Sequence, residues 1–338
     1  MPLIAKVGRT HFKTKSLIVI VALFLWIGVF LHLFPVWWMF TTSLKSTREV
    51  FEFPPTLWPR SPSLKAYGLF FSVFASSLKG EAAAGKISLV YPVYIYFKNS
   101  FIITGVTMLI QIPMVAIAAY SISKLITAKW NRILFLFFIG TMMIPMQISF
   151  IPNYLILRHF PFPTKIPRLP ISHKPFPTYN FLNSYWAVIL PSMYSAFSFI
   201  LFKGFFDTIP DELINAARLD GASELGILRR IVLPLSKPIL AVVAYFTFNS
   251  SWNNFIWPLI VLKERKVWPL SLILYHFQQQ LFAQPPTEMD PETEKLIRAG
   301  ISFSGLMAIS IIQSIPVFIM FIIFREYLMT GIKLRGFK

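Results

Sequence analysis

Cysteine is absent from the 338-residue chain. That removes disulfide frameworks, Cys-ligated zinc, iron–sulfur clusters and cysteine nucleophiles, and it leaves the redox compartment open. Charge is scarce as well: 14% of the residues are Asp, Glu, Lys or Arg, against about 25% in soluble domains. Acidic side chains are the scarcest, 14 against 32 basic ones, for a formal net charge of +18. The five histidines include no pair at the i, i+4 spacing that would aim two imidazoles at one metal. No nucleophile motif accompanies His159 or His173, and no convergent acid, base or metal group marks a catalytic centre. Disordered, collagen-like and coiled-coil classes are excluded by the same composition.

What the chain has instead is apolar length, with 55% hydrophobic residues and a mean hydropathy of +0.62. Stretches without Asp, Glu, Lys or Arg run from Leu17 to Leu44, Phe101 to Ser123, Ile133 to Leu157, Tyr185 to Phe202, Ile239 to Leu262 and Ile301 to Phe324. Each can cross a hydrocarbon core of about 30 Å at about 1.5 Å per residue. The chain therefore reads as an all-α polytopic membrane protein. Its six transmembrane helices fall at about 17–44, 101–123, 133–157, 185–206, 239–262 and 301–324, between tails 1–16 and 326–338. Pro35, Pro113, Pro145 and Pro316 lie inside these stretches and predict kinks. The first stretch follows a basic segment but exceeds the length of a secretion-signal core and lacks a small-residue cleavage site after Phe40, so it reads as an uncleaved anchor.

Six spans place both termini on one side. Basic residues divide evenly between the two sides, but the segments beside the termini are shorter and denser in Lys and Arg, which favours cytoplasmic termini. Basic residues scattered between spans suit anionic lipid headgroups and cannot form one continuous patch along a nucleic acid. The large outer segments are then Lys45 to Lys98, Arg158 to Asn183 and Lys263 to Gly300, the second carrying six prolines that predict an extended cover. Gly80, Gly85 and Lys86 imitate a phosphate-binding loop, but Ile87 replaces the magnesium-reaching hydroxyl and no strand precedes them, so the segment reads as an alanine-rich surface helix.

Among the inner segments, 208–238 carries the most pattern. Thr208 is placed to cap a first helix with Asp211 three residues on, Pro210 suits its first turn, and Asp211 and Glu212 sit at its positive dipole end. Leu213, Ala216 and Ala217 share a face on which small side chains admit a close partner. Gly221 breaks the helix. Ser223 is placed to cap a second helix with Leu225, Leu228 and Val232 in one stripe, ended by Pro234 and Pro238. Physical pattern alone does not separate partner docking from a surface linker between two spans.

The run Asn215-Ala216-Ala217, three residues, Gly221, nine residues, Ile231-Val232-Leu233-Pro234 resembles the EAA loop of ABC importer permeases, and Asp220-Gly221-Ala222-Ser223 strengthens the match. Across nearly the whole chain the sequence is similar to the carbohydrate branch of that family, the MalG-like subunits of maltose-type importers. Thr42-Ser43-Leu44-Lys45, Asn99-Ser100, Ala119-Tyr120, Ile144-Pro145-Met146-Gln147, Ile151-Pro152-Asn153-Tyr154, Trp252-Asn253, Gly331 and Gly336-Phe337-Lys338 fall in the expected order. The resemblance implies the type I importer permease (MetI-like) fold in a multi-pass inner or plasma membrane subunit, with the loop and both termini cytoplasmic. It implies a second homologous permease, two ATPase subunits that bind ATP and Mg, and an extracytoplasmic sugar-binding protein; this chain itself would be non-catalytic, with no cofactor. Coupling to the ATPase falls on Asn215, Ala216, Ala217, Asp220, Gly221, Ala222 and Ser223. Asn215 departs from the family's glutamate, and Glu212, one turn earlier, is the candidate substitute.

Sugars are held by aromatic faces and amides, and Gln147 and Asn153 in the third span with Asn249, Trp252, Asn253, Asn254 and Trp257 in the fifth are candidate pathway residues. Each has an alternative reading as a helix–helix contact. By resemblance, the segment 263–300 reaches toward the binding protein, whereas 74–91 and 160–178 look like insertions. Basic outer segments leave open whether the saccharide is acidic. A permease for glycerol phosphate or peptide remains the alternative within the family, and a nucleotide-independent carrier the alternative outside it, disfavoured because the spans offer only His32 as a coupling group.

Overall fold

The computed structural model describes residues 12–50, 52–68, 93–160, 179–283 and 303–333. The imitation phosphate loop, the proline-rich segment 161–178, the tail 334–338 and residues 284–300 lie outside them. The described part is helical, and its one β feature is an isolated bridge between Phe160 and Tyr179. The chain divides into two compact units, 1–75 with 281–312, and 76–280 with 313–338.

In the first unit, α1 (Phe12–Ser43) carries Lys13 and Lys15 at its start and from Ser16 on is an uncharged apolar rod with most of its large side chains exposed, as expected of a lipid-facing helix. Its end is pinned by buried Lys45, whose Nζ donates to the Thr56 carbonyl (2.5 Å) and lies 4.4 Å from the Trp38 ring centre. Glu49, also buried, accepts from Thr56 Oγ1 and the Arg60 amide, both at 2.9 Å. These bonds satisfy charged groups that burial would otherwise penalise.

The second unit begins with α2 (Val93–Tyr120), which ends in a π-helical turn, Ser121–Leu125. Then follow α3 (Ala128–Thr141), α4 (Phe150–Arg158), α5 (Tyr185–Ile189), α6 (Ala196–Phe206), α7 (Asp211–Leu219), α8 (Glu224–Ile227) with a π-helical turn to Val232, α9 (Lys237–Trp252), α10 (Ile256–Val261) and α11 (Leu270–Ala283). The last helix, α12 (Phe303–Lys333), contributes its C-terminal part to this unit.

Three helices, Ser16–Ser43, Tyr94–Leu125 and Phe303–Met329, are long and apolar enough to cross a membrane unbroken. The other three expected spans are each interrupted. The span expected at 133–157 breaks between α3 and α4 around Pro145, which has no N–H to donate and disfavours helical backbone at Ile144. That expected at 185–206 bends by 40° after Pro191. Its second half restarts at Ser195, whose hydroxyl caps the Ser198 amide. That expected at 239–262 stops at Trp252 and resumes at Ile256, with the Asn254 side chain accepting from the Trp257 amide. Pro35, Pro113 and Pro316, by contrast, are carried inside continuous helices. Part of the expected outer loop 263–300 is helical, and Leu270 and Leu272 of α11 are fully buried. The last span continues as helix to Lys333, into the expected tail.

Buried polar groups act as clips. Asn99 Nδ2 donates to the Lys266 (2.9 Å) and Trp268 (2.8 Å) carbonyls, while its Oδ1 accepts from Tyr185 (2.6 Å). Ser100 Oγ accepts from the Leu270 amide at 2.8 Å. The indoles of Trp252, Trp257 and Trp268 each donate to a backbone carbonyl, of Gln313, Ala187 and Leu262. Asn99→Ala removes three hydrogen bonds at about 0.6 kcal/mol each between membrane helices. The expected loss of about 2 kcal/mol lowers the melting temperature in detergent by a few degrees; an unchanged melt would show that the clip carries no load.

Candidate functional site

The segment 208–238 folds as two helices round a tight turn. Thr208 does not cap α7: its Oγ1 donates to the Phe205 carbonyl (2.7 Å), drawn off by the unsatisfied end of α6, and Pro210 holds the cap position without a side-chain bond. Asp211 and Glu212 occupy the first turn. At the far end Gly221 has φ +80°, and the Ala222 amide reaches back to the Ala217 carbonyl while the Gly221 amide bonds Arg218. This glycine closure satisfies the last carbonyls of α7. A Cβ at Gly221 would meet nothing within 4 Å, so the left-handed backbone and not space selects glycine. Ser223 caps α8, its hydroxyl accepting from the Gly226 amide. After a π-helical turn, the chain swings by 86° into α9.

The expected face of Leu213, Ala216 and Ala217 is divided. Ile214 and Ala217 point inward, joining Ile209, Ile227, Leu228 and Val232 in a cluster with Val115, Ala116, Ala119 and Tyr120 of α2 and Phe199, Phe202 and Phe206 of α6. Leu213 and Ala216 point outward together with Leu219, 90% exposed, and Leu225, 65% exposed. Leu225 is therefore not in the buried stripe that Leu228 and Val232 form. Glu212, Asn215, Asp220, Gly221, Ala222 and Ser223 are exposed as well.

A charged lattice fixes the pair of helices from behind. Tyr120 OH donates to Glu224 Oε2 (2.6 Å), and Arg218 Nε donates to Glu224 Oε1 (2.7 Å). Arg218 also donates to Asn215 Oδ1 at 3.0 Å. Lys124 Nζ donates to Asp211 Oδ1 (2.6 Å) and the Ile209 carbonyl (2.7 Å). Buried Lys203 pairs with Asp207 at 2.7 Å, and Ser123 donates to the other oxygen of the same carboxylate. The hydrogen bonds from Arg218 and then Tyr120 hold the Glu224 carboxyl below its usual range. Sequence reasoning assigned no role to Tyr120, Arg218 or Glu224; the available signal was a polar aromatic ending an apolar span beside an isolated acid and base.

The second feature is a cavity of about 620 Å³ inside this unit. All three interrupted spans border it: Met146 from the break before α4, Phe150 and Asn153 from α4, Pro191, Ser192, Tyr194 and Ser195 from the elbow before α6, Asn254 before α10 and Trp257 in it. Thr107 and Gln111 of α2, Phe197 and Ser198 of α6, and Phe246, Thr247, Asn249, Ser250 and Ser251 of α9 complete the wall. Phe150 and Trp257 pack with ring centres 5.7 Å apart. Of the pathway candidates, Asn153, Asn249, Asn254 and Trp257 line the cavity, whereas Gln147, Trp252 and Asn253 do not. Trp252 is buried against Phe248 and Phe101. Asn253 donates to the Asn249 backbone and side-chain oxygens, and Gln147 is exposed. Thr107, Thr247 and Ser198 escaped sequence reasoning because hydroxyls in an apolar run ordinarily bond their own helix. Among the described residues, no group of three or more His, Asp or Glu could hold a metal ion.

The model of the family "binding-protein-dependent transport system inner membrane component" matches residues 112–284. The sn-glycerol-3-phosphate transport system permease protein UgpE of Salmonella typhi is 30% identical over 70% of this chain and 74% of its own length. The arabinooligosaccharides transport system permease protein AraQ of Halalkalibacterium halodurans is 28% identical over 72% of this chain and 74% of its own. The probable ABC transporter permease protein YurM of Bacillus subtilis is 27% identical over 91% and 85%. In fold, the chain is similar to a subunit of a bacterial ABC transporter involved in the import of the acidic polysaccharide alginate, with TM-score 0.71 and 21% identity, covering 94% of this chain and 98% of that one. Apolar helices, a helix–turn–helix at residues 208–238 and these likenesses together make the chain a member of the family of inner membrane components of binding-protein-dependent transport systems, an ABC importer permease.

Proposed function

We propose that this chain is one of two permease subunits of an ATP-driven importer of di- or oligosaccharides, and that 208–238 transmits closure of the ATPase subunits to the spans. The observation that carries this reading is the two-sided build of α7 and α8. One side is locked into the core through Ile214, Ala217, Ile227 and Leu228, and the other presents Leu213, Ala216, Leu219 and Leu225 to the outside. An exposed apolar patch on a rigidly held element suits a partner surface. A force applied there reaches α2 and α6 directly, because the buried cluster is close-packed.

On this reading the loop and both termini are cytoplasmic, Lys124 and Asp211 meeting at that end of the unit. ATP and Mg are bound by two partner ATPase subunits, a second homologous permease completes the pathway, and an extracytoplasmic binding protein delivers the solute. The chain itself is non-catalytic. Asn215 is engaged by Arg218, so Glu212, outward on the first turn, supplies the carboxylate that the family's glutamate would otherwise give. Saccharide as cargo is supported by the AraQ likeness and by the amides, hydroxyls and aromatic faces of the cavity.

Leu219→Asp and Ala216→Arg alter only exposed positions. Each is expected to abolish ATP-driven uptake and binding-protein-stimulated ATP hydrolysis in reconstituted complexes, while the chain still inserts and the binding protein still takes its sugar. Normal uptake by both variants would refute the coupling role. Arg218→Ala removes the bonds to Glu224 and Asn215, and backbone hydrogen exchange across 216–224 is expected to speed up by about tenfold. Unchanged exchange would show that packing alone holds the turn.

A further inference from the structure

The first unit carries apolar side chains that its own fold leaves uncovered. In the segment that follows α1, Phe53 is 94% exposed, Leu57 62%, Trp58 57% and Leu64 70%. Single exposed apolar residues are ordinary on a protein surface. Four between positions 53 and 64, two of them large aromatics, mark a contact surface.

This segment is tied to the end of α1. The Ser63 amide donates to the Leu44 carbonyl (2.9 Å), Ser43 Oγ and Tyr67 OH share a hydrogen bond of 2.8 Å, and Lys45, beside the Trp38 ring, holds the Thr56 carbonyl. The depth at which α1 ends therefore fixes the depth of the segment. The uncharged stretch Ser16–Ser43 has 28 residues, about 42 Å at about 1.5 Å per residue. That length matches a hydrocarbon core together with both headgroup layers, about 40–45 Å, and an ordinary tilt of about 20° shortens it by only a few ångströms. Ser43 thus lies in the headgroup layer, and the residues bonded around it lie there too.

The surrounding charges favour lipid over a protein partner. Arg48, Arg60 and Lys65 are exposed around the apolar residues. The acids between them are already engaged, Glu49 by Thr56 and the Arg60 amide and Glu52 by the Arg60 side chain at 3.1 Å. Protein interfaces are depleted in charge at their core, whereas Trp, Phe and Leu bordered by Lys and Arg are the pattern of a segment lying in a bilayer surface. We propose that residues 53–64 are an interfacial anchor: Phe53, Leu57, Trp58 and Leu64 enter the headgroup–acyl boundary of the leaflet in which α1 ends, and Arg48 and Lys65 meet lipid phosphates. Such an anchor requires a membrane-spanning chain and no particular solute.

The test uses the full chain assembled with cysteine-free partner subunits in vesicles of phosphatidylcholine and phosphatidylglycerol. Phe53→Cys, Leu57→Cys and Trp58→Cys, made one at a time and spin-labelled, are compared for collision with oxygen, which concentrates in lipid, and with a nickel chelate, which stays in water. Phe24→Cys, in the middle of α1, gives the lipid reference and the free label in buffer the water reference. The oxygen-to-nickel ratio at all three positions is expected to exceed the water reference at least threefold and to stay below the lipid reference. Arg48→Glu combined with Lys65→Glu is expected to lower the ratio at Leu57→Cys at least twofold, and an unchanged ratio would strike the phosphate contacts from the assignment. Ratios equal to the water reference at all three positions overturn the anchor. Slow collision with both reagents overturns it too, by showing a protein surface over the segment.

Discussion

A helix that stops inside a membrane frees N–H and C=O groups that lipid cannot satisfy, so each stop must be answered by protein or by a wet cavity. Three expected spans of this chain stop or bend that way, at Pro145, at Pro191 and at the Asn253-Asn254 pair. All three breaks open on the same cavity. The breaks contribute Met146, Pro191 and Asn254 to its wall, and the neighbouring continuous helix α2 adds Thr107 and Gln111. Pro191 and Asn254 both lie at a break and line the cavity, whereas Pro145 and Asn253 lie at a break without lining it.

At the other end of the unit the requirement is rigidity. A short amphipathic helix in isolation is marginal in water, and α7 has only nine residues. It persists because Ile214 and Ala217 enter a buried cluster while Lys124, Arg218, Tyr120 and Glu224 tie its two ends. Ion pairs at this level of exposure contribute little individually, and their joint effect is to fix orientation. A π-helical turn lies on either side of the junction, Ser121–Leu125 on α2 and Leu228–Val232 after α8, and such turns often accompany functional segments.

Much of this was legible in the residues. The apolar runs marked the membrane class, the spacing from Asn215 to Pro234 marked the loop, and Gly221 and Ser223 act as a turn and a cap as their types suggest. Three things were not legible. Span continuity is not set by proline alone: Pro35, Pro113 and Pro316 do not interrupt helices where Pro145 does. The inward face of α7 was misjudged because Leu213 and Ile214 are equally apolar, and only the position of α2 decides that Ile214 is inside. Among the amides and indoles of the fifth span, Trp252 and Trp257 differ by five positions and by fate, one locked against Phe248 and the other on a cavity, a distinction that tertiary contacts make.

Because the chain has no cysteine, Leu219→Cys creates a single attachment point at the exposed end of α7, in the segment proposed to couple to the ATPase. Labelling it with a photoreactive maleimide, illuminating the assembled importer with and without ATP, and identifying the adduct tests the account most directly. The account predicts a cross-link to the ATPase subunit whose formation blocks ATP-driven uptake. Adducts confined to lipid or to the sister permease, or a cross-linked complex that still transports, would contradict it.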